Sequence, residues 1–90
     1  MLSLLTPFDL QLEFSQFCKK TRKMKGFSSK EFSEKTGVPD STIRKFENTG
    51  EISFRQFLML YAELGKLTEL QKLTHLTDSP KNLDEVLKDA

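Results

Sequence analysis

Apolar side chains recur along this chain with a helical period. From Pro7 to Met24, Leu10, Phe14, Phe17, Cys18 and Thr21 follow the i, i+4, i+7, i+8, i+11 spacing of one buried helix face, with Glu13, Gln16, Lys19, Lys20 and Lys23 outside. Thr6-Pro7 starts this helix, since the hydroxyl can cap free amides and proline is tolerated at the first helical position; Lys25-Gly26 ends it. Ser28 caps a short second helix over Ser29 to Thr36, where Glu31, three residues on, completes a capping box and Gly37 is the stop. After Val38-Pro39 a third helix is predicted over about Ser41 to Asn48, with Asp40 as its cap. Ser53 caps a fourth, whose Phe54, Phe57, Leu58, Tyr61 and Leu64 form another stripe that ends at Gly65. Leu67, Leu70, Leu73 and Leu76 predict a fifth helix, and Leu83, Val86 and Leu87 a short sixth after Asp78-Ser79-Pro80. No alternation of period two bounded by hairpin turns occurs, so the expected class is all-α with five to six helices.

Length narrows the picture further. Ninety residues with 37% hydrophobic side chains leave room for one core, so residues 1–90 are expected to form one domain, and two-domain enzymes are excluded. The longest apolar run, Phe57 to Ala62, is far short of the roughly 20 residues of a spanning helix, and the opening MLSLLTPF has no cationic stretch. The expectation is a soluble, cytoplasmic protein with no membrane partner. Cys18 alone cannot close an intrachain disulfide, and one Cys with one His does not complete a zinc site, so neither metal nor cofactor is expected. Cys18 reads as core filler. A core built from a few of the eight Phe is marginal at this size, which makes oligomerisation plausible.

Charge is unevenly distributed. The net +1 conceals a first half, residues 1–50, with nine basic and six acidic side chains, and a second half with five basic and seven acidic. Lys19, Lys20, Arg22, Lys23, Lys25 and Lys30 follow one another without an intervening acid, a pattern open to two readings: a nucleic-acid contact or a solvated helix face.

Two short helices joined by Gly-Val-Pro have the spacing of a helix-turn-helix, here residues 28–48. The crossing needs a large apolar residue (Phe32), a small neighbour (Ser33), a permissive turn residue (Gly37) and an apolar plug (Val38). Ile43 and Phe46 supply the inner face of the third helix, leaving Ser41, Thr42, Arg44, Lys45 and Asn48 to point outward or sideways.

The stretch from Met24 to Leu64, with GFSSKEFSEKTGVPDSTIRKFENTGEIS at its centre, resembles the Cro/C1 (XRE-type) helix-turn-helix family. Within that family STIRKFE followed by TGEIS is most similar to HipB-like antitoxins and related transcriptional regulators. The resemblance implies a lambda-repressor-like DNA-binding domain that pairs as a homodimer, binds double-stranded DNA at a palindromic operator and represses its own promoter. For a HipB-like antitoxin it also implies a HipA-type kinase toxin as partner. The helices within 53–88 are then expected to supply packing and dimerisation, with a contact through the fifth helix and the loop before it.

Carried over by position, Ser29 stands where many relatives place a longer Gln, and Asp40 and Ser41 take the positions that face base edges. Asp40 departs from the usual Gln, Arg or Ser there and reads better as a helix cap than as a base reader. Arg44 is the leading base reader, because paired guanidinium donors match guanine O6 and N7. Lys45 and Asn48 are candidates for phosphates, and Ser28, Lys30 and Thr42 for the DNA backbone. Arg22 and Glu47 occupy positions where relatives pair an Arg in the first helix with a Glu near the end of the third, and a partly buried salt bridge is expected between them.

The alternative is a protein-interaction module that kept the fold and binds a partner such as a toxin kinase with little specific DNA binding; Asp40, Ser29 and the near-neutral charge motivate it. A phage-type repressor is a variant of the first reading. Enzymatic activity is not expected, because the sequence around the single His75, in the predicted fifth helix, offers no recognisable catalytic pattern.

Overall fold

Residues 4–76 are described by a computed structural model, beginning with α1, Pro7–Met24. Thr6 Oγ1 accepts from the Asp9 amide at 3.0 Å while the Thr6 amide donates to Asp9 Oδ2 at 3.1 Å, so two amides otherwise lacking intrahelical partners are satisfied. Ser28 and Glu31 repeat this device at the start of α2, Ser29–Thr36. Gly37 then adopts φ +80°, a conformation costly for any residue with a Cβ, and its amide donates to the Ser33 carbonyl at 2.8 Å. Thr36 fastens the same turn: its hydroxyl donates to the Phe32 carbonyl at 2.8 Å and accepts from the Val38 amide at 3.2 Å.

The next helix, α3, spans Asp40–Thr49 and corrects one expectation. Asp40 is not its cap. The Pro39 carbonyl already accepts from the Ile43 amide at 3.0 Å, so Pro39 takes the flanking position and Asp40 lies in the first turn, where no side chain caps the helix. Ser53 caps α4, Phe54–Leu64, through the Gln56 amide at 3.1 Å. A five-residue α5, Leu67–Gln71, follows and runs into a 3-10 turn, Lys72–His75. Glu69 ties α5 to α4, since its Oε1 accepts from the Lys66 amide at 3.1 Å and from the Tyr61 hydroxyl at 3.2 Å. The described residues are all-helical, as in a small helix-turn-helix domain of the lambda-repressor type.

Cys18, Phe32, Val38, Ile43, Phe46, Leu60 and Leu64 form the buried core, so all four longer helices contribute to it. Each fully buried Phe, Ile or Leu contributes about 1.5–3 kcal/mol by leaving water. Phe57 lies over this cluster, meeting Phe14 edge-on at 5.3 Å and Phe46 at 6.2 Å.

Several expected core positions lie outside. Leu10 and Phe17 are exposed; Cys18 is buried as expected, and Ser15 and Arg22 share its inward side of α1. Ser15 is tolerated because its hydroxyl donates to the Leu12 carbonyl at 2.8 Å. On α4, Phe54 is 76% exposed, whereas Leu60, absent from the expected stripe, is buried. Leu67, Leu73 and Leu76 are exposed, and only Leu70 of that series is half-buried. The expected sixth helix at Leu83, Val86 and Leu87 lies outside the described residues. Among the described residues no helix is long and apolar enough to cross a membrane.

Candidate nucleic-acid interface

Helical geometry sorts the side chains of α3 at about 100° per residue. Ile43, Phe46 and Glu47 turn inward, while Ser41, Lys45 and Asn48 occupy the middle of the outer face. Arg44 and Thr42 flank that face on opposite sides, Arg44 exposed and Thr42 half-buried. Burial of Ile43 and Phe46 against α2 and α1 fixes which face is free.

Arg22 sets how that face is held. Its Nε donates to Glu47 Oε2 at 2.7 Å, its Nη2 to Glu47 Oε1 at 2.9 Å, and its Nη1 to the Phe27 carbonyl at 2.7 Å. One guanidinium therefore joins α1, the turn before α2 and the end of α3. The two side chains are 9% and 7% exposed, so the bidentate pair is shielded from salt. The hydrogen bonds Arg22 donates to Glu47 raise its pKa, burial opposes the rise, and the negative charges of Glu47 and Asp40 add to it. Arg22 is thus withdrawn from the basic run; Lys20, Lys23, Lys25 and Lys30 are exposed and Lys19 is half-buried.

Two glutamines complete the attachment of α3. Gln11 Nε2 donates to the Gly50 carbonyl at 3.1 Å, and Gln16 Nε2 to the Glu47 carbonyl at 3.4 Å. Gly50, at φ +81°, lies so close to α1 that a Cβ would stand 3.3 Å from the Gln11 backbone carbon. Neither glutamine stands out in the sequence, although Gln11, Ser15, Cys18 and Arg22 do share one side of α1 at i, i+4, i+7 and i+11.

The other candidate residues occupy varied surroundings. Ser28 is committed to its capping box, Ser29 is half-buried in the first turn of α2, and Lys30 is exposed. Arg44 Nη2 pairs with Asp40 Oδ2 at 2.9 Å. Lys45 Nζ lies 4.0 Å from Glu51 Oε2 on the surface, a weak contact that DNA phosphates can displace. Between α3 and α4 Ser41, Thr42, Lys45, Glu51, Ser53 and Gln56, with Ile52, line a cleft; in the sequence Ser53 is recognisable only as a cap, and nothing singles out Gln56.

Burial, with a smaller contribution from the charge of Glu47, pushes the Cys18 thiol up to about 12, which keeps it protonated and unreactive. Among the described residues no group of three or more His, Cys, Asp or Glu side chains could hold a metal ion.

A second short helix that presents a free polar face, crossed by the first and tied to its neighbours by a buried ion pair, is the architecture of a DNA-binding helix-turn-helix. The helix-turn-helix family model matches residues 19–66, over half of the chain, and the protein belongs to that family, in its Cro/C1 (XRE) type. This is a family of DNA-binding domains rather than of enzymes, and its members of this type are transcription regulators. No curated protein and no solved structure matches the chain.

Proposed function

We propose that this protein is a sequence-specific repressor that binds a palindromic operator as a homodimer and controls its own promoter, as the antitoxin of a HipBA-like module in the cytoplasm. The observation that carries the DNA-binding part is the outer face of α3, where Ser41, Arg44, Lys45 and Asn48 are exposed while Arg22 and Glu47 hold the helix from behind. In this reading Arg44 and Ser41 face base edges. Lys45 and Asn48 meet phosphates, and Ser28, Ser29, Lys30 and Thr42 lie against the DNA backbone. Asp40 contributes no base contact of its own.

Exposed Leu67, Leu73 and Leu76 support a twofold contact through α5, because a lone recognition helix makes few contacts and two half-sites about 34 Å apart strengthen binding. The antitoxin role, with a HipA-type kinase as partner, is supported by the resemblance of STIRKFE and TGEIS to HipB-like proteins. The second reading, a protein-interaction module, is favoured by the carboxylate of Asp40 near the DNA side and by the exposed apolar side chains Leu10, Phe17 and Phe54.

A mobility-shift titration against the protein's own upstream region and a scrambled duplex, at two salt concentrations, separates the readings. Preference for the upstream duplex that survives added salt is expected. Weak, indiscriminate binding that salt abolishes would favour the interaction module instead. Equilibrium sedimentation is expected to give a dimer, and a monomer at tens of micromolar would remove the twofold contact.

A further inference from the structure

We infer that Asp40 is a positioning residue that sets base specificity through Arg44, acting without touching a base itself. The inference rests on the DNA-reading role of α3 proposed above. Asp40 and Arg44 are one helical turn apart, and Asp40 Oδ2 holds Arg44 Nη2 at 2.9 Å. An ordinary surface pair has both partners in water and little fixed geometry. Here the Arg44 side chain is 61% exposed but that of Asp40 only 26%, and Asp40 Oδ1 is buried without a hydrogen-bond partner. A carboxylate in that position is held by charge. Arg44 lies on one side of it, and Asp40 in turn adds to the field that raises the Arg22 pKa.

Three consequences follow from this placement. Asp40 is poorly placed to accept from a cytosine amino group, since Oδ1 is shielded and Oδ2 is ion-paired with Arg44. The Arg44 side chain is 61% exposed and keeps donors free beside the paired Nη2, and paired guanidinium donors are what guanine O6 and N7 accept. Holding one end of a long side chain also removes rotamers that would otherwise be lost on binding or used to reach phosphates and other bases. Asp40 thereby narrows what Arg44 can read to guanine, and its own negative charge discourages indiscriminate binding.

The test is binding selection from a random-core duplex library, followed by titrations of the selected and a scrambled duplex, with wild type, Arg44→Ala, Asp40→Asn and the double variant. Arg44→Ala is expected to lower guanine preference at one position by about five- to 150-fold. Asp40→Asn is expected to lower preference at that same position by about threefold or more, with binding to the scrambled duplex unchanged or tighter, and to add nothing in the Arg44→Ala background. A merely structural role would weaken both duplexes together and lower the melting temperature. Should Asp40→Asn fail to fold, Asp40→Ser, which suits the first turn of a helix, carries the same expectation. Guanine preference retained in the Asp40 variants, or an Asp40 effect that persists without Arg44, would overturn the inference while leaving the regulator reading intact. Absence of any preferred duplex in the wild type would overturn the regulator reading, and the inference with it.

Discussion

Replacing either partner of the Arg22–Glu47 pair should destabilise the protein far more than replacing both. Arg22→Met leaves a carboxylate that is 7% exposed without its two donors at 2.7 and 2.9 Å, and Glu47→Leu leaves a shielded guanidinium without its counter-charge. Stranding one buried ion in this way costs about 3–5 kcal/mol. A domain of this size is stable by roughly 5–15 kcal/mol, so a single variant that starts near the middle of that range should lose about 30–50% of its stability. In the double variant no charge is stranded, and two apolar side chains of similar volume replace the pair at little cost. What remains is the Phe27 carbonyl, which loses the Nη1 donor at 2.7 Å, a net penalty of about 1 kcal/mol. Urea unfolding of the four proteins measures each term. The expected order is wild type, then the double variant, then both single variants, with a coupling energy of at least about 2 kcal/mol. Single-variant losses that sum to the double-variant loss within about 0.5 kcal/mol would refute the reasoning.

Three further outcomes are expected. Gly50→Ala should cost about 1–3 kcal/mol in a urea melt, because φ +81° strains any Cβ and the added carbon would stand 3.3 Å from the Gln11 backbone. Lys45→Ala should weaken binding to all duplexes alike and reduce the slope of log affinity against log salt by about one, whereas a loss confined to one sequence would make Lys45 a base reader. Cys18 should resist alkylation in the folded protein at neutral pH. Its folded pKa, raised by burial, means the unfolded thiol ionises first, so stability should fall as pH rises from about 9 towards about 12, and Cys18→Ala should show a shallower alkaline decline.

The boundaries of α1, α2 and α4 were legible because their signals are local: Thr6, Ser28 and Ser53 each find an amide three residues away. The interior was less legible. The helical stripe Leu10, Phe14, Phe17, Cys18 and Thr21 places Cys18 in the core and Phe14 against it, yet Leu10 and Phe17 are exposed and Ser15 and Arg22 turn inward. Periodicity equates apolar with buried, and here a hydroxyl bonded to its own backbone and a paired guanidinium take inner positions instead. On α4 the same equation fails for Phe54, which is apolar yet 76% exposed, while Leu60 is buried. Asp40 looked like a cap from composition. Where the first helical hydrogen bond begins depends on the Pro39 carbonyl, which no residue preference announces. Of the candidate interface, the free face of α3 could be read from Ile43 and Phe46, but the glutamine contacts from α1 depend on how two distant helices cross.

The three-way attachment of Arg22 to α3 and to the turn before α2 also bears on the timing of recognition. Because Arg22 holds the Glu47 side chain while Gln16 and Gln11 hold the backbone of α3 and its exit before any DNA arrives, the helix reaches the groove already shaped. Ordering on encounter is then confined to the outer ends of side chains such as Lys45, so association should proceed close to rigid-body docking, and sequences that demand a different groove width should be rejected by misfit rather than accommodated.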